Sequence, residues 1–67
     1  MNFFKHTYNY YIVFTFEIDG FTKTAASYCE LNYKLDTKDA LKSIIEYLNK
    51  KMGVNNVILM NIVPLKK

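Results

Sequence analysis

Two strands, a helix and a third strand, forming one α+β domain of ββαβ type, are what this sequence predicts, and three features carry the prediction. Residues 7–18 alternate in the manner of a half-buried strand, Asp19-Gly20 is suited to a two-residue hairpin turn, and residues 37–52 repeat apolar side chains at helical spacing before a glycine stop.

The first strand, over about 7–18, places Tyr8, Tyr10, Ile12, Phe14, Phe16 and Ile18 on one face and Asn9, Tyr11, Val13, Thr15 and Glu17 on the other. Asp tolerates positive φ and Gly welcomes it, so Asp19-Gly20 fits the central positions of a type I′ turn. A second strand, over about 21–33, then folds back. The register about that turn sets Ile18 opposite Phe21, Phe14 opposite Ala25, Ile12 opposite Ser27, Tyr10 opposite Cys29 and Tyr8 opposite Leu31. Large side chains face small ones, leaving a depression beside Ala25 and Ser27 in which a helix can seat.

Asp36 or Thr37 can cap the helix of about 37–52, and Asp39 suits the positive end of its dipole. Leu41, Ile44, Ile45, Leu48 and Met52 form its apolar stripe, while Lys38, Lys42, Glu46, Asn49 and Lys50 face water. Gly53 ends it as a left-handed cap, behind Lys50 and Lys51. A third strand spans about 57–63, closed by Pro64. The first strand is the most apolar and belongs in the middle, which gives the order 2-1-3 with a mainly antiparallel sheet and the helix on one face.

One domain is all that 67 residues hold, and a chain this small buries only about 60% of its unfolded surface. Disulfides, a metal or self-association are the usual aids. Cys29 is the only cysteine and His6 the only histidine, so neither an internal disulfide nor a Cys/His metal site is expected, and no cofactor is implied. Self-association is left. The opening Met-Asn-Phe-Phe-Lys has no apolar core or small-residue cleavage site of a signal peptide, and no run approaches a bilayer span of about 20 residues; the expectation is a cytoplasmic chain with no membrane partner. The net charge is +3, every basic residue being Lys, which removes the side chain best suited to bidentate contact with guanine or phosphate and weakens a nucleic-acid reading.

One helix covers one face of three strands, yet the third strand is apolar on both, through Val57, Leu59 and Val63 on one side and Ile58, Met60 and Ile62 on the other. The row Ile58, Met60, Ile62 is expected to lie beside Tyr11, Val13 and Tyr28 on the outer face, making an apolar and aromatic patch larger than a solitary monomer shows. The competing reading is that these residues reflect β-propensity alone, or that the tails Asn2–His6 and Leu65–Lys67 fold across them. Two homodimers would use the surface: outer faces stacked, burying Tyr11, Tyr28 and Met60, or an edge strand paired with its copy. Lys23 and Pro64 read as edge protection and favour stacking.

Catalysis needs groups that converge, and the chain offers few. His6 has no Ser or Cys at triad spacing, Cys29 reads as a small buried hydrophobe, and Glu17, Asp19, Glu30, Asp36 and Asp39 are spread over turn, strands and cap. Gly20 and Gly53 have turn and cap explanations and make no phosphate loop. The expectation is therefore a non-enzymatic binding protein that works as a homodimer or higher homo-oligomer. The alternative is a small nucleic-acid or nucleotide binder, with bases stacked on Tyr11 and Tyr28 and phosphates met by Lys23 or Lys34. The cluster Lys50, Lys51, Lys66 and Lys67 reads as a solvated end.

The strand Tyr10-Tyr11-Ile12-Val13-Phe14-Thr15-Phe16, the helix start Thr37-x-Asp39-Ala40-Leu41 and the ending Val57 to Leu65 resemble those of small uncharacterised proteins encoded by phages and prophages of low-GC bacteria. The resemblance implies an accessory or anti-defence role in the bacterial cytoplasm, in which a small oligomer occludes a host protein or sequesters a nucleotide signal. It carries over no binding residue.

Overall fold

The computed structural model describes residues 7–66. Its elements are β1 (Tyr8–Ile18), β2 (Phe21–Leu31), α1 (Lys38–Met52) and β3 (Ile58–Leu65). The sheet has the order β2-β1-β3, with both outer strands antiparallel to β1, and α1 lies on one face: the α+β fold of ββαβ type expected from the sequence. Strand ends differ from the sequence reading. β2 stops at Leu31, not 33, and β3 runs from Ile58 through Pro64 to Leu65, not from 57 to 63.

The hairpin register matches the expected one at every pair from Ile18↔Phe21 to Tyr8↔Leu31. Asp19 (φ 53°) and Gly20 (φ 80°) both adopt the positive φ that a type I′ turn demands. Such a turn makes Ile18–Phe21 a hydrogen-bonded pair, and the pattern alternates from there. Even-numbered residues of β1 therefore bond to β2, and odd-numbered ones turn their backbone groups toward β3. Beyond the start of β3 a side chain continues that ladder: the Glu17 N–H donates to Asn56 Oδ1 at 2.9 Å, and Asn56 Nδ2 donates to the Glu17 carbonyl at 3.1 Å.

Thr37 is the cap that α1 uses, its Oγ1 accepting from the Ala40 N–H at 3.1 Å. Asp36, the other candidate, makes no such bond. At the far end Gly53 (φ 72°) donates to the Lys50 carbonyl at 3.3 Å and Val54 donates to the Asn49 carbonyl at 3.0 Å, a Schellman closure. Asn49 does not simply face water, since its Oδ1 accepts from the Val57 N–H at 3.0 Å and so fixes the entry into β3.

The core lies between α1 and the even-numbered face of β1. Tyr10, Ile12, Phe14, Phe16, Cys29, Ile44, Leu48 and Val57 are buried, with Ile12, Ile44 and Leu48 fully so. Ala25, small enough to let the helix approach, packs against them. The Tyr10 hydroxyl, at the margin of the core, accepts from the Leu35 N–H at 3.0 Å and ties down the connection from β2 to α1.

β3 departs from simple alternation. Its register shifts at Val13/Phe14, where Phe14 faces Leu59 but Val13 faces Asn61, so Met60 is an inserted residue, a β-bulge. The extra residue reverses the faces of everything after it. Ile62 pairs with Ile12 and packs against the core, and Val63 pairs with Tyr11 on the outer side. The placement of Ile62 on the outer row and Val63 on the helix side is thus corrected: a bulge flips the downstream side chains, as a one-residue slip does.

Candidate functional site

The odd-numbered residues of β1 build the outer face, flanked by alternate residues of β2 and β3. Its rows are Asn9 with Glu30 and Leu65, Tyr11 with Tyr28 and Val63, Val13 with Ala26 and Asn61, and Thr15 with Thr24 and Ile58. Among the described residues no helix or strand packs on this face.

The Tyr11–Tyr28 row is its centre. The two residues form a non-hydrogen-bonded pair, the kind that brings side chains closest, and their rings sit 5.0 Å apart, tilted by 51°. Tyr11 and Val13 are half-buried by their neighbours, while Tyr28 is 77% exposed. Ile58 and Met60 are 61% and 60% exposed, on the outer face and at the bulge. Of the six residues expected here, Tyr11, Val13, Tyr28 and Ile58 stand on the face; Met60, the bulged residue, lines a depression with Leu41 of α1, Leu59 and Ile62, and Ile62 packs against the core. Val63 and Leu65 take its place, at 38% exposure each. Neither follows from simple alternation, because the bulge at Met60 has no marker in the sequence.

At one end of the face a shallow depression of about 440 Å³ is lined by Asn9, Tyr28, Glu30, Leu65 and Lys66, among others. Lys66 is the cation at this depression and Glu30 the anion. The lysines expected to serve the tyrosines lie elsewhere. Lys23 pairs with Phe16, on the side of α1, and the Lys34 ammonium sits 5.9 Å from the centroid of the Tyr8 ring, again on that side.

The groups with chemical potential do not meet. Cys29 is buried in the core beside Tyr10, and its thiol packs as an apolar group. Glu17, Asp19 and Glu30 stand on the hairpin, while Asp36 and Asp39 flank the start of α1. Among the described residues no group of three His, Cys, Asp or Glu side chains could hold a metal ion. His6 lies outside the described residues. No helix among the described residues is long and apolar enough to cross a membrane.

In comparisons with known proteins, the chain matches no family model, no curated protein and no solved structure.

Proposed function

We propose that this chain is a non-enzymatic binding protein and that its outer sheet face is the surface a protein partner occupies. The observation that carries the reading is the bare row Val63–Tyr11–Tyr28, continued by Val13 and by Ile58. Tyr supplies a large contact area with few rotatable bonds and a polar tip, which is why it is enriched among residues that dominate protein interfaces. Here two pack against each other before any partner arrives, which lessens the side-chain freedom lost on binding. In this reading the role is that of a phage accessory or anti-defence protein, occluding a host factor by stoichiometric contact.

A photo-cross-linking residue at position 28, introduced in bacteria expressing the protein, tests the face directly. Adducts with another protein should form there, be suppressed by Val63→Lys, and not form when the same residue replaces Lys42 on the exposed side of α1. Equal cross-linking at positions 28 and 42 would overturn the reading.

A nucleotide is the second occupant to consider, favoured by Lys66 beside Tyr28 in a depression of about 440 Å³. Glu30 in the same depression repels a phosphate, and Lys23 and Lys34 stand on the other side. Titration of tyrosine fluorescence with a mononucleotide at low salt decides the matter, since no change removes this occupant.

A further inference from the structure

The two edges of the sheet are not equally protected. On β3 the bulge at Met60 twists the edge, and Pro64 removes a donor from it. Tyr10–Pro64 is an even-numbered pair, so the proline nitrogen points away from β1, to the solvent edge, where its missing N–H blocks an incoming strand. The outer edge of β2 has neither bulge nor proline: 11 residues pair with β1 without a register shift, and Lys23 is left as the one guard of the kind expected from the sequence. By the alternation that starts at Ile18–Phe21, the backbone groups of Thr22, Thr24, Ala26, Tyr28 and Glu30 all point outward, and among the described residues no strand meets them.

We propose that this edge pairs with the β2 edge of a second copy, antiparallel about a two-fold axis at Ala26, to give a continuous six-stranded sheet. Side chains across an antiparallel pair share a face, so the axis must pass through a residue, and an axis at Ala26 alone pairs all 11 residues of both strands. Each outward group then finds its complement, in about ten main-chain hydrogen bonds between Thr22 and Glu30, Thr24 and Tyr28, and Ala26 with itself. In this register Lys23 comes opposite Cys29 and Glu30 opposite Thr22, so no like charges are set against each other, whereas parallel in-register pairing would set Lys23 on Lys23 and Glu30 on Glu30.

The same register accounts for an otherwise orphaned apolar pair at the hairpin tip. Phe21 is 69% exposed and Ile18 40% exposed, on the side of α1 but beyond its reach. Across the axis Phe21 comes opposite Leu31 of the other copy, a side chain packed at the margin of the core. Both copies of α1 lie on one side of the joined sheet, and the other side becomes a surface with two Tyr11–Tyr28 pairs. The edge uses backbone groups and leaves the outer face open, so it stands or falls apart from the function proposed above.

Amide hydrogen exchange on the native protein, read together with its mass in solution, is the test. At about 100 μM the expected species is a dimer in which the amides of Thr24, Ala26 and Tyr28 are protected at least about tenfold more than on dilution to the monomer. Ala26→Pro removes only an outward N–H and spares the β1–β2 ladder, so it should be folded by circular dichroism and monomeric at the same concentration. A native protein that is monomeric at about 100 μM overturns the proposal. So does a dimer whose Thr24, Ala26 and Tyr28 amides exchange as freely as those of a monomer, which would place the contact elsewhere on the molecule. A folded Ala26→Pro variant that still dimerises overturns it too, and if that variant does not fold the native exchange pattern decides.

Discussion

β1 presents Tyr10, Ile12, Phe14 and Phe16 to α1, all buried, and Asn9, Tyr11, Val13, Thr15 and Glu17 to the other side, none fully buried. The two rows alternate along one backbone, the inner one with three aromatics and Ile12, the outer one with Tyr11, Val13 and Thr15 between polar ends. What separates them further is the partner each meets. The inner row is closed by Ile44 and Leu48, whose zero exposure shows that the helix and strand have no further surface to give. The outer row has only its strand neighbours. Stability in a domain this small therefore resides almost wholly on one side, which leaves the other side free to vary with little cost to folding.

That division is broken most severely by truncating the inner row. Phe14→Ala removes a side chain that is 2% exposed and leaves a cavity between β1 and α1, at a cost of about 3–5 kcal/mol. Since a domain of 67 residues is held by a total of about 3–10 kcal/mol, the variant should lose at least about a third of its stability. Val13→Ala, one residue along on the outer face, should keep a cooperative transition with an unfolding free energy within about 1 kcal/mol of the native value. Urea denaturation followed by far-UV circular dichroism measures both. Equal losses would mean that the outer face is packed after all.

A smaller effect sharpens the comparison by asking whether the helix is seated by its own ends. Gly53 has φ 72°, where a Cβ clashes with its own backbone although nothing else lies within 4 Å of it. Gly53→Ala should then cost about 1 kcal/mol through the left-handed conformation alone. The loss should appear in thermal unfolding as a lower Tm with unchanged native circular dichroism. A loss well above that would mean that the closure through Asn49 and Val54 is disrupted as well, loosening the entry to β3.

The hairpin register could be read residue by residue because a two-residue Asp-Gly turn leaves no freedom in the pairing, and alternation does the rest. The helix was legible for a similar reason, its two ends being written as Thr37 and Gly53 around one apolar stripe. β3 was legible only in part. Its apolar character and its place beside β1 follow from the sequence, but seven of its eight residues are apolar, so no polar alternation fixes which face each one takes. The bulge at Met60 is settled by packing: Leu59 and Ile62 both reach the core, and an inserted residue is what lets two positions three apart share a face. Asn56, which mimics a strand residue with its side-chain amide, had no sequence signal at all. The candidate site inherits this unevenness, since Tyr11, Val13 and Tyr28 come from the legible hairpin and Ile62 from the strand whose faces were ambiguous.

The finest comparison makes the same chemical change on each face. Tyr10→Phe deletes a hydroxyl whose oxygen accepts the Leu35 N–H at 3.0 Å in a partly buried position, so that N–H is left without its partner. The expected cost is about 0.5–1.5 kcal/mol, accompanied by faster exchange of the Leu35 amide. Tyr28→Phe deletes a hydroxyl on a ring that is 77% exposed, and leaves the ring's contact with Tyr11 intact. Its effect on stability should fall within about 0.5 kcal/mol of zero. If Tyr28 serves a partner through its polar tip, the same substitution weakens cross-linking from a neighbouring outer position while leaving the denaturation curve in place. A stability loss at Tyr28 equal to that at Tyr10 would show that the outer tyrosine holds the fold together, and would remove the reason for assigning that face to a partner.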